Sequence, residues 1–322
     1  NFKSNFSRDS YDNSNGNVSA YINAWFNNDG TAYNNNATMG NGFMKIGRGG
    51  NVDDGPLTNS FGTLDIVAHE YTHAVIRNAA DLEYQGESGA LNESFADIFG
   101  EMTEHHTYSN WGGGIGTNDW LIGSERDNGA IRSMEDPSIL DDPDTYQGSD
   151  WANTCEECSD YGGVHTNSGV QNKWFYLLSE GGSGTNDNND QYNVPSIFTN
   201  QKEIAAYVAY MNLIAYLDPS SDYEEARSGS ILAASDAYGS CSDVAILVGK
   251  AWHAVGVGTQ YTDYISCLDI IPTSGDIASG GILSATYGGS CNVNITPNNS
   301  GNIGIGAEEF VRLRPGVLID PS

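Results

Sequence analysis

The sequence has few basic residues, few cysteines and no long apolar run. Its 13 lysines and arginines stand against 42 aspartates and glutamates, which gives a formal net charge of -29. Such a charge opposes binding to nucleic acid and anionic membranes, and it favours solubility and cation binding. No apolar stretch approaches the roughly 18 to 20 residues that span a bilayer, and no basic-then-apolar signal segment opens the chain. We therefore expect a processed, mature protein that binds no nucleic acid, does not insert into a membrane and is a monomer.

The five cysteines predict local disulfide chemistry and not a metal site. Cys155 and Cys158 form a lone CxxC flanked by acidic residues, without a second CxxC to complete a zinc site and without the βαβ context of a redox motif. A disulfide in an exposed acidic loop is the better interpretation. Cys241 and Cys267 could pair across a helix-like segment, and pairing of Cys267 with Cys291 is the alternative. This usage of cysteine favours an oxidising, extracellular setting, and we expect a secreted protein.

A His-Glu-x-x-His motif stands inside an apolar, helix-compatible stretch that runs from Leu64 to Ala80. Residues four apart share one face of a helix, so His69 and His73 can direct one imidazole nitrogen each at the same point. Two imidazoles at this spacing suit Zn²⁺, and Glu70 is placed to take a proton from a water molecule at the metal. The alternative is a pair of structural histidines beside an exposed glutamate. The fixed spacing, in a chain of six histidines, argues against it.

A second amphipathic helix is predicted from Gly89 to Glu104. Its apolar positions recur at helical spacing: Leu91, Phe95, Ile98, Phe99 and Met102. Its acidic positions also recur every three or four residues: Glu93, Asp97, Glu101 and Glu104. Like charges at this spacing destabilise a helix. Two cations would offset them, zinc at Glu93 and a hard cation such as Ca²⁺ at Glu101 and Glu104. Asp97 would then orient a ligand histidine. The alternative is a solvated acidic face, which the neighbouring histidine motif makes less favourable.

The pattern of residues divides the chain into three predicted regions. Residues 1–63 indicate a β-rich N-terminal lobe of short strands and turns, without helices. Residues 64–258 are predicted to be mainly helical, with a long loop region at 107–165. Residues 259–322 indicate a small β-rich extension. Beyond the two motif helices, the predicted helices are Asn167–Ser179, Gln201–Tyr216, Tyr223–Tyr238 and Ser242–Val255. Within the first region, residues 33–40 are typical of an edge strand, which could bind an extended peptide by backbone pairing.

The run from Asp65 to Glu104 resembles the thermolysin family of secreted zinc endopeptidases, through the HEYTH motif and the segment 84–93. Further motifs follow in the family's order at 131–137, 162–169 and 254–257. The resemblance covers about residues 15–258. It implies an α+β fold: a thermolysin-like two-lobed peptidase with a reduced N-terminal β lobe, a central HExxH helix, a mainly α C-terminal lobe and a small C-terminal β appendage.

The resemblance implies a role for each residue around the metal. One catalytic zinc ion would be held by His69, His73 and Glu93. Glu70 would be the general base that activates a water molecule. Asp97 and Asn92 would support the zinc histidines.

The resemblance also implies residues that contact the substrate. His165 and Tyr84 would hydrogen-bond the oxyanion of the tetrahedral intermediate, and Asp160 would orient His165. Arg132 would bind a substrate carbonyl. The substrate backbone would pair with two residues, Asn36 and Ala37. Without the resemblance, His165 would be interpreted as a loop histidine and Arg132 as part of a surface salt bridge.

For calcium, the resemblance implies four carboxylates and one backbone oxygen. They are Asp65, Glu101, Glu104, Asp119 and the backbone oxygen of Leu121. This set of ligands resembles that of the elastase/vibriolysin branch of the family, in which the site holds a single calcium ion. Ser124 stands where a second bridging carboxylate would be needed.

We therefore expect a secreted, calcium-stabilised zinc endopeptidase that cleaves proteins or peptides on the amino side of medium or large apolar residues. The specificity pocket would be walled by Ile66, Ile122 and Ile131. The alternative is a non-catalytic binding or adhesion protein on a decayed peptidase scaffold, against which the intact zinc motif argues. A zinc aminopeptidase would need a site for a free amine, and no motif indicates one. The remaining histidines are expected to be structural or exposed: His105, His106 and His253.

Overall fold

The computed structural model describes residues 2–28, 31–40, 42–49, 60–110, 116–239 and 242–258. It also describes the backbone of two paired two-residue strands, β10 (Ile277–Ala278) and β11 (Ile305–Gly306). The alternative pairings of Cys241, Cys267 and Cys291 lie outside these residues. Nearly all of the predicted C-terminal extension also lies outside the described residues. The boundaries of the three predicted regions stay predictions.

The N-terminal part is a small sheet with one short helix. After α1 (Phe2–Phe6) come five strands: β1 (Ser19–Ala24), β2 (Phe26–Asn28), β3 (Thr31–Tyr33), β4 (Ala37–Met39) and β5 (Phe43–Gly47). Strands β1, β5 and β4 form a sheet in that order, with β1 parallel and β4 antiparallel to β5. Among the described residues, β4 is therefore an edge strand.

The prediction that this region contains no helix is wrong at α1. Phe2 and Phe6 lie four residues apart and so share one face of a helical turn. Both rings pack against Phe99, with centroids 5.1 and 5.9 Å away, and Phe6 stacks on Tyr210 at 4.3 Å. Aromatic contacts with the helical part therefore stabilise a helix that the local composition does not favour.

Two long helices, α2 (Leu64–Arg77) and α3 (Gly86–Asn110), form the centre of the molecule. Both motif helices predicted from the sequence are present, although α2 ends before Ala80 and α3 extends six residues beyond Glu104. Gly100 allows the two helices to approach closely. A β-carbon at this position would lie 2.8 Å from the backbone oxygen of Asp65, which is closer than van der Waals contact permits. The small residue therefore sets the separation between the two helices.

Five further helices follow within the described ranges, of which the first four contact α3 and the last packs against the second and fourth. They are α4 (Ser159–Asn167), α5 (Gly169–Glu180), α6 (Gln201–Ala215), α7 (Tyr223–Tyr238) and α8 (Asp243–Ala254). The last four match the predicted helices to within two residues at each end. Two short antiparallel pairs accompany them: β6 (Leu121–Ile122) with β7 (Arg132–Ser133), and β8 (Gly182–Thr185) with β9 (Gln191–Val194). The predicted loop region 107–165 is too long, because α3 runs through its start and α4 through its end.

A continuous apolar core joins these helices. Trp174 and Trp252 stack inside it with ring centroids 4.6 Å apart, and both side chains are fully buried. This arrangement, a small β part beside a larger helical part, confirms the predicted α+β class. In the described part of the chain, no helix combines the length and apolarity needed to cross a bilayer.

Candidate active site

Three ligand-type side chains from α2 and α3 converge on one point. Nε2 of His69 lies 3.0 Å from Nε2 of His73. Glu93 places Oε2 3.4 Å from the first of these nitrogens and Oε1 3.5 Å from the second. In a four-coordinate zinc site with bonds of about 2.0 to 2.1 Å, the ligand atoms are about 3.3 Å apart. The spacing of the three groups therefore fits a single zinc ion.

The Nδ1 atom of each of these histidines lies at hydrogen-bond distance from a side-chain oxygen. Nδ1 of His69 lies 2.8 Å from Oδ1 of Asp97, and Nδ1 of His73 lies 2.8 Å from Oδ1 of Asn92. Asn92 is fixed in turn, because its Nδ2 donates to the backbone oxygen of Leu82 at 3.0 Å. Acceptors at both Nδ1 atoms place the proton there and leave Nε2 with a free lone pair. The two imidazoles are therefore oriented to bind a metal ion before it arrives.

Glu93 has the environment of a metal-binding carboxylate. It is 1% exposed, and its Oε2 accepts no hydrogen bond from any residue that the structure describes. Burial alone would raise its pKa, but the neighbouring imidazoles of His73 and His165 hold the pKa well below its usual range. A buried anionic oxygen without a donor is costly unless a cation lies next to it. This orphaned atom, facing two imidazole nitrogens, supports a cation at this point.

Asp97 is shared between His69 and Arg132. The guanidinium donates from Nε and Nη2 to the two carboxylate oxygens of Asp97, at 2.7 and 2.6 Å. Nδ2 of Asn172 donates to the same carboxylate at 2.8 Å. Burial would raise the pKa of Asp97, but the guanidinium and the imidazole outweigh it and lower that pKa. Arg132 is only 8% exposed, so its interpretation as part of a surface salt bridge is wrong.

Glu70 follows His69 on α2 and lines the same cleft. It is 6% exposed, and burial raises its pKa to about 7. A carboxyl group whose pKa is close to the working pH can accept a proton in one step and return it in another.

Two hydrogen-bond donors, Tyr84 and His165, lie close to Oε1 of Glu93. The hydroxyl of Tyr84 donates to Oε1 of Glu93 and lies 3.2 Å from Nε2 of His165. Asp160 holds His165 twice, through its ring Nδ1 at 2.6 Å and its backbone N–H at 2.9 Å. Burial opposes protonation of His165, but Glu93 and Asp160 outweigh it and raise its pKa. Burial and Glu93 raise the pKa of Tyr84. Both groups therefore keep a proton to donate.

A left-handed turn positions Asp160 and His165. Asp160, Tyr161, Gly162 and Gly163 have φ values of 55°, 51°, 80° and 74°, before the chain becomes a right-handed helix. Close packing accompanies the positive φ at the second glycine, where a β-carbon would lie 2.5 Å from Cβ of Ala152. The left-handed conformation of this segment was not predicted from the sequence.

The predicted disulfide between Cys155 and Cys158 is present just before this turn, and this prediction is confirmed. The backbone oxygen of Cys155 also accepts a hydrogen bond from Nε2 of Gln85 at 3.2 Å. The loop is therefore cross-linked by its own disulfide and hydrogen-bonded to the segment that carries Tyr84.

A cleft of about 560 Å³ is lined by the predicted zinc ligands and by most of the groups around them: His69, His73, Glu93, Glu70, Asn92, Arg132, Tyr84 and His165. Asp97 and Asp160 are not among its lining residues. Edge strand β4 forms part of its lining through Asn36 and Ala37. The three isoleucines expected from the sequence also line it: Ile66, Ile122 and Ile131. Other lining residues were not predicted as site residues: Phe61, Arg77, Asp81, Leu82 and Tyr161, and also Thr38 and Met39, which lie in the predicted edge strand 33–40. Their neighbours in sequence, such as Ala37 and Asp160, were the only signal that could have found them.

An acidic cluster lies between the start of α2 and the second half of α3. Asp65, Glu101 and Glu104 are buried, and they bring ligand oxygens to within 4.8 Å of one another. Both oxygens of Glu101 lack a hydrogen-bond donor among the described residues. Burial and the neighbouring carboxylates raise its pKa well above the usual value, and burial raises that of Glu104 to about 7. The three groups fit a hard cation, which would offset their mutual repulsion.

The other two expected calcium ligands lie at the edge of this cluster. The hydroxyl of Thr117 donates to Glu104 and lies 3.0 Å from both Oε2 of Glu104 and Oδ1 of Asp119, which links the two acids. The backbone oxygen of Leu121 accepts a hydrogen bond from the N–H of Ser124 at 3.3 Å. The structure therefore brings Asp119 next to the cluster, and the backbone oxygen of Leu121 as a calcium ligand stays a prediction.

Of the remaining histidines, His105 lies next to the acidic cluster, with its Nε2 3.3 Å from Oε2 of Glu101. His105 is buried against Trp120, with ring centroids 4.5 Å apart, and His253 is buried near the end of α8. His106 is exposed.

Comparison with known proteins gives a consistent result. The family model for the thermolysin metallopeptidase catalytic domain matches residues 1–77, and that for the thermolysin metallopeptidase alpha-helical domain matches residues 80–257. A bacillolysin from Brevibacillus brevis is 39% identical over 228 residues, which cover 69% of this chain and 38% of that protein. A thermolysin from Alicyclobacillus acidocaldarius subsp. acidocaldarius is 38% identical over 257 residues, 80% of this chain and 42% of that protein.

Among solved structures, the precursor of protealysin, a metalloproteinase from Serratia proteamaculans, superimposes with a TM-score of 0.59 at 26% identity. The match covers 80% of this chain and 74% of that one. The chain spans about two fifths of the length of the curated relatives it matches. The expected fold is confirmed, whereas the assignment to the elastase/vibriolysin branch stays a prediction. The two family models together span nearly all of residues 1–257, and the chain belongs to the thermolysin metallopeptidase family.

Proposed function

We propose that the chain is the catalytic part of a zinc-dependent endopeptidase. One observation carries the proposal: two imidazole nitrogens and the orphaned oxygen of Glu93 converge in a cleft. That cleft also contains Glu70 and the two proton donors Tyr84 and His165. A structural cation site would not need an acid with a pKa near 7 or donors facing the same space.

His69, His73 and Glu93 would hold the zinc ion, with Asp97 and Asn92 supporting the two histidines. Bound there, zinc would polarise the carbonyl of the bond to be cleaved and lower the pKa of a water molecule. Support comes from the atom spacing, which suits four-coordinate zinc, and from the acceptors behind both rings.

Glu70 would act as the general base and then as the general acid. Its carboxylate takes a proton from the attacking water, and the resulting carboxylic acid gives that proton to the leaving amine nitrogen. A pKa raised by burial to about 7 suits both steps near neutral pH. Substitution of Glu70 should therefore stop the reaction without removing a metal ligand.

Tyr84 and His165 would donate hydrogen bonds to the substrate oxygen on which negative charge develops. Asp160 would keep the His165 ring in place and hold a proton on its Nδ1, with the raised pKa leaving a second proton on Nε2 to donate. Donors fixed in advance stabilise developing charge more effectively than water, which must reorganise. Arg132, held by Asp97, would bind a carbonyl of the substrate.

Substrate would bind as an extended peptide beside edge strand β4. Among the described residues β4 pairs only with β5, so its outer edge can form backbone hydrogen bonds next to Asn36 and Ala37. The specificity pocket would be lined by Ile66, Ile122 and Ile131. An apolar pocket near Arg132 supports cleavage on the amino side of hydrophobic residues.

A calcium ion would occupy the acidic cluster, held by Asp65, Glu101 and Glu104 with Asp119 beside them. The oxygens of Glu101 accept no hydrogen bond from any described residue, although Nε2 of His105 lies 3.3 Å from Oε2, and this supports a cation there. The ligand from Leu121 and the assignment to the elastase/vibriolysin branch belong to the same proposal.

We also propose that the protein is secreted and monomeric, and that it acts on proteins or peptides. The exposed disulfide between Cys155 and Cys158 supports an oxidising environment. A net charge of -29 opposes self-association through simple charge repulsion.

The test compares the wild-type chain with Glu70→Ala. Bound zinc and cleavage of a blocked internal peptide are measured in the same preparations. We expect about one zinc per chain in both proteins and cleavage by the wild type alone. Zinc in both proteins without cleavage by the wild type would favour the non-catalytic binding protein. Absence of zinc from metallated wild type would contradict the zinc site itself.

A further inference from the structure

Tyr161 combines a strained backbone, an exposed ring and a place in the cleft. We infer that it determines specificity, by giving an aromatic surface to the substrate side chain immediately before the scissile bond. This inference rests on the proposed function, because it assigns a subsite to the proposed endopeptidase. The preferred side chain at that position would be aromatic.

The backbone at Tyr161 is held in a conformation that tyrosine disfavours. Its φ of 51° and ψ of 37° lie in the left-handed region. Glycine adopts this region freely and asparagine or aspartate tolerates it, whereas a bulky side chain is an outlier there. The neighbours Gly162 and Gly163 and the hydrogen bonds between Asp160 and His165 fix the turn. A strained tyrosine at such a place indicates a function for its side chain.

The ring of Tyr161 is not packed in the hydrophobic core. Tyr161 is 62% exposed. Within the described residues its aromatic partner is Tyr84, which it meets edge to face with centroids 5.6 Å apart. Removing so exposed a ring would lose little buried area. The ring nevertheless lines the cleft beside a proposed oxyanion donor, where a substrate side chain would complete its contacts.

The neighbours of each metal histidine place the ring on one side of the proposed scissile bond. His69 is backed by Asp97 and Arg132, whose strand pairs with Ile122. His73 instead faces the ring of Tyr84, at a centroid distance of 6.3 Å. The apolar pocket next to Arg132 would take the residue after the scissile bond. The Tyr84 side, with Tyr161, is then left for the residue before it.

Two blocked peptides test the inference. They share the sequence Gly-Xaa-Leu-Ala, with Phe or Ala at the second position and leucine after the expected cleavage point. The products are separated and only cleavage between Xaa and leucine is counted, because the bond before Phe is also of the proposed type. Aromatic contacts of this kind change binding by about 2- to 12-fold. We therefore expect the wild type to cleave the Phe peptide with a higher kcat/KM than the Ala peptide. The contact with the Tyr161 ring should contribute a factor of this size to the ratio of the two kcat/KM values.

Tyr161→Asn removes the ring and keeps a residue that tolerates the left-handed turn. This variant should lose the factor of about 2- to 12-fold in the ratio. Tyr161→Phe keeps the ring and should retain the wild-type ratio. Tyr238→Asn, which removes another exposed tyrosine ring at the end of α7, is the matched control and should also retain it. An unchanged ratio in Tyr161→Asn would overturn the inference.

Stability separates a substrate-binding role from a structural one. With zinc bound, the melting temperature of Tyr161→Asn should be unchanged or a few degrees higher, because asparagine relieves the backbone strain. A melting temperature several degrees lower, with both peptides affected equally, would mean that the ring serves the fold and would overturn the inference.

Binding without turnover distinguishes failure of the subsite from failure of the proposed function. Calorimetry measures the Kd of both peptides in a Glu70→Gln background, with and without Tyr161→Asn. A Phe-to-Ala ratio that depends on Tyr161 supports the subsite even if wild type cleaves neither peptide, which would refute the endopeptidase alone. A ratio independent of Tyr161 refutes the subsite whether or not cleavage occurs.

Discussion

Asp97→Asn perturbs the group that joins the proposed zinc site to Arg132. The substitution keeps the size of the side chain and removes its charge. In the wild type the carboxylate accepts two hydrogen bonds from Arg132 at 2.6 and 2.7 Å, one from Asn172 at 2.8 Å and one from Nδ1 of His69 at 2.8 Å. The asparagine amide has one acceptor oxygen, and its NH₂ group would face a donor.

Two losses follow from this change, and they have different magnitudes. Arg132 becomes a buried cation without its partner, which costs about 3 to 5 kcal/mol of folding free energy. This is a large part of a typical stability of about 5 to 15 kcal/mol. His69 loses the acceptor that orients it, which weakens metal affinity by about 10- to 100-fold.

The assay measures both quantities in the same protein. Urea unfolding of the zinc-loaded forms gives the free energy of unfolding, and competition with a chromophoric chelator gives the Kd for zinc. Glu157→Gln is the control, because it removes a charge from an exposed acidic loop and should change neither value. A zinc Kd within twofold of the wild type in folded Asp97→Asn would refute the reasoning about His69. An unchanged free energy of unfolding would refute the reasoning about Arg132.

Three further predictions concern the surroundings of the site. Gly100→Ala should destabilise the zinc-loaded protein by about 1 to 3 kcal/mol in urea unfolding, because a β-carbon would force α2 and α3 apart; an unchanged midpoint would contradict this. Replacing Cys155 and Cys158 by serine should cost about 2 kcal/mol and lower kcat at unchanged zinc content, since the loop leads into the turn that positions His165, the proposed oxyanion donor; equal kcat values would contradict this. Raised pKa values of Glu101 and Glu104 mean that the folded state holds extra protons. Without calcium, stability should therefore be full below about pH 4.5 and fall as the pH rises towards 7. Melting curves with a calcium-selective chelator measure this loss, and excess calcium should abolish it; a chelated protein that gains stability over this range would argue against the cluster.

Local pattern was sufficient for the parts of the fold that local physics governs. The spacing of His69 and His73 on an apolar segment predicts α2, and the apolar period of the next segment predicts α3. Helix α7 was predicted with its observed bounds, and the structure shows a capping box at its start, in which the side chains of Asp222 and Glu225 accept hydrogen bonds from each other's backbone N–H groups.

Tertiary contacts decided what the pattern missed. Helix α1 exists because Phe2 and Phe6 reach rings that are far away in sequence. The turn at Asp160 is left-handed although it contains Tyr161, a residue whose local preference opposes that conformation. Arg132 is buried because it forms an ion pair with Asp97, which lies 35 residues earlier in the chain. No local sequence pattern predicts that pairing.

The central claim is that one zinc ion lies between His69, His73 and Glu93. Crystals of the zinc-loaded protein, measured on both sides of the zinc absorption edge, test it directly through the anomalous difference map. We expect a single peak in the cleft, about 2.0 to 2.2 Å from Nε2 of each histidine and from a carboxylate oxygen of Glu93. A strong zinc peak elsewhere, with no density among these three side chains, would contradict the account.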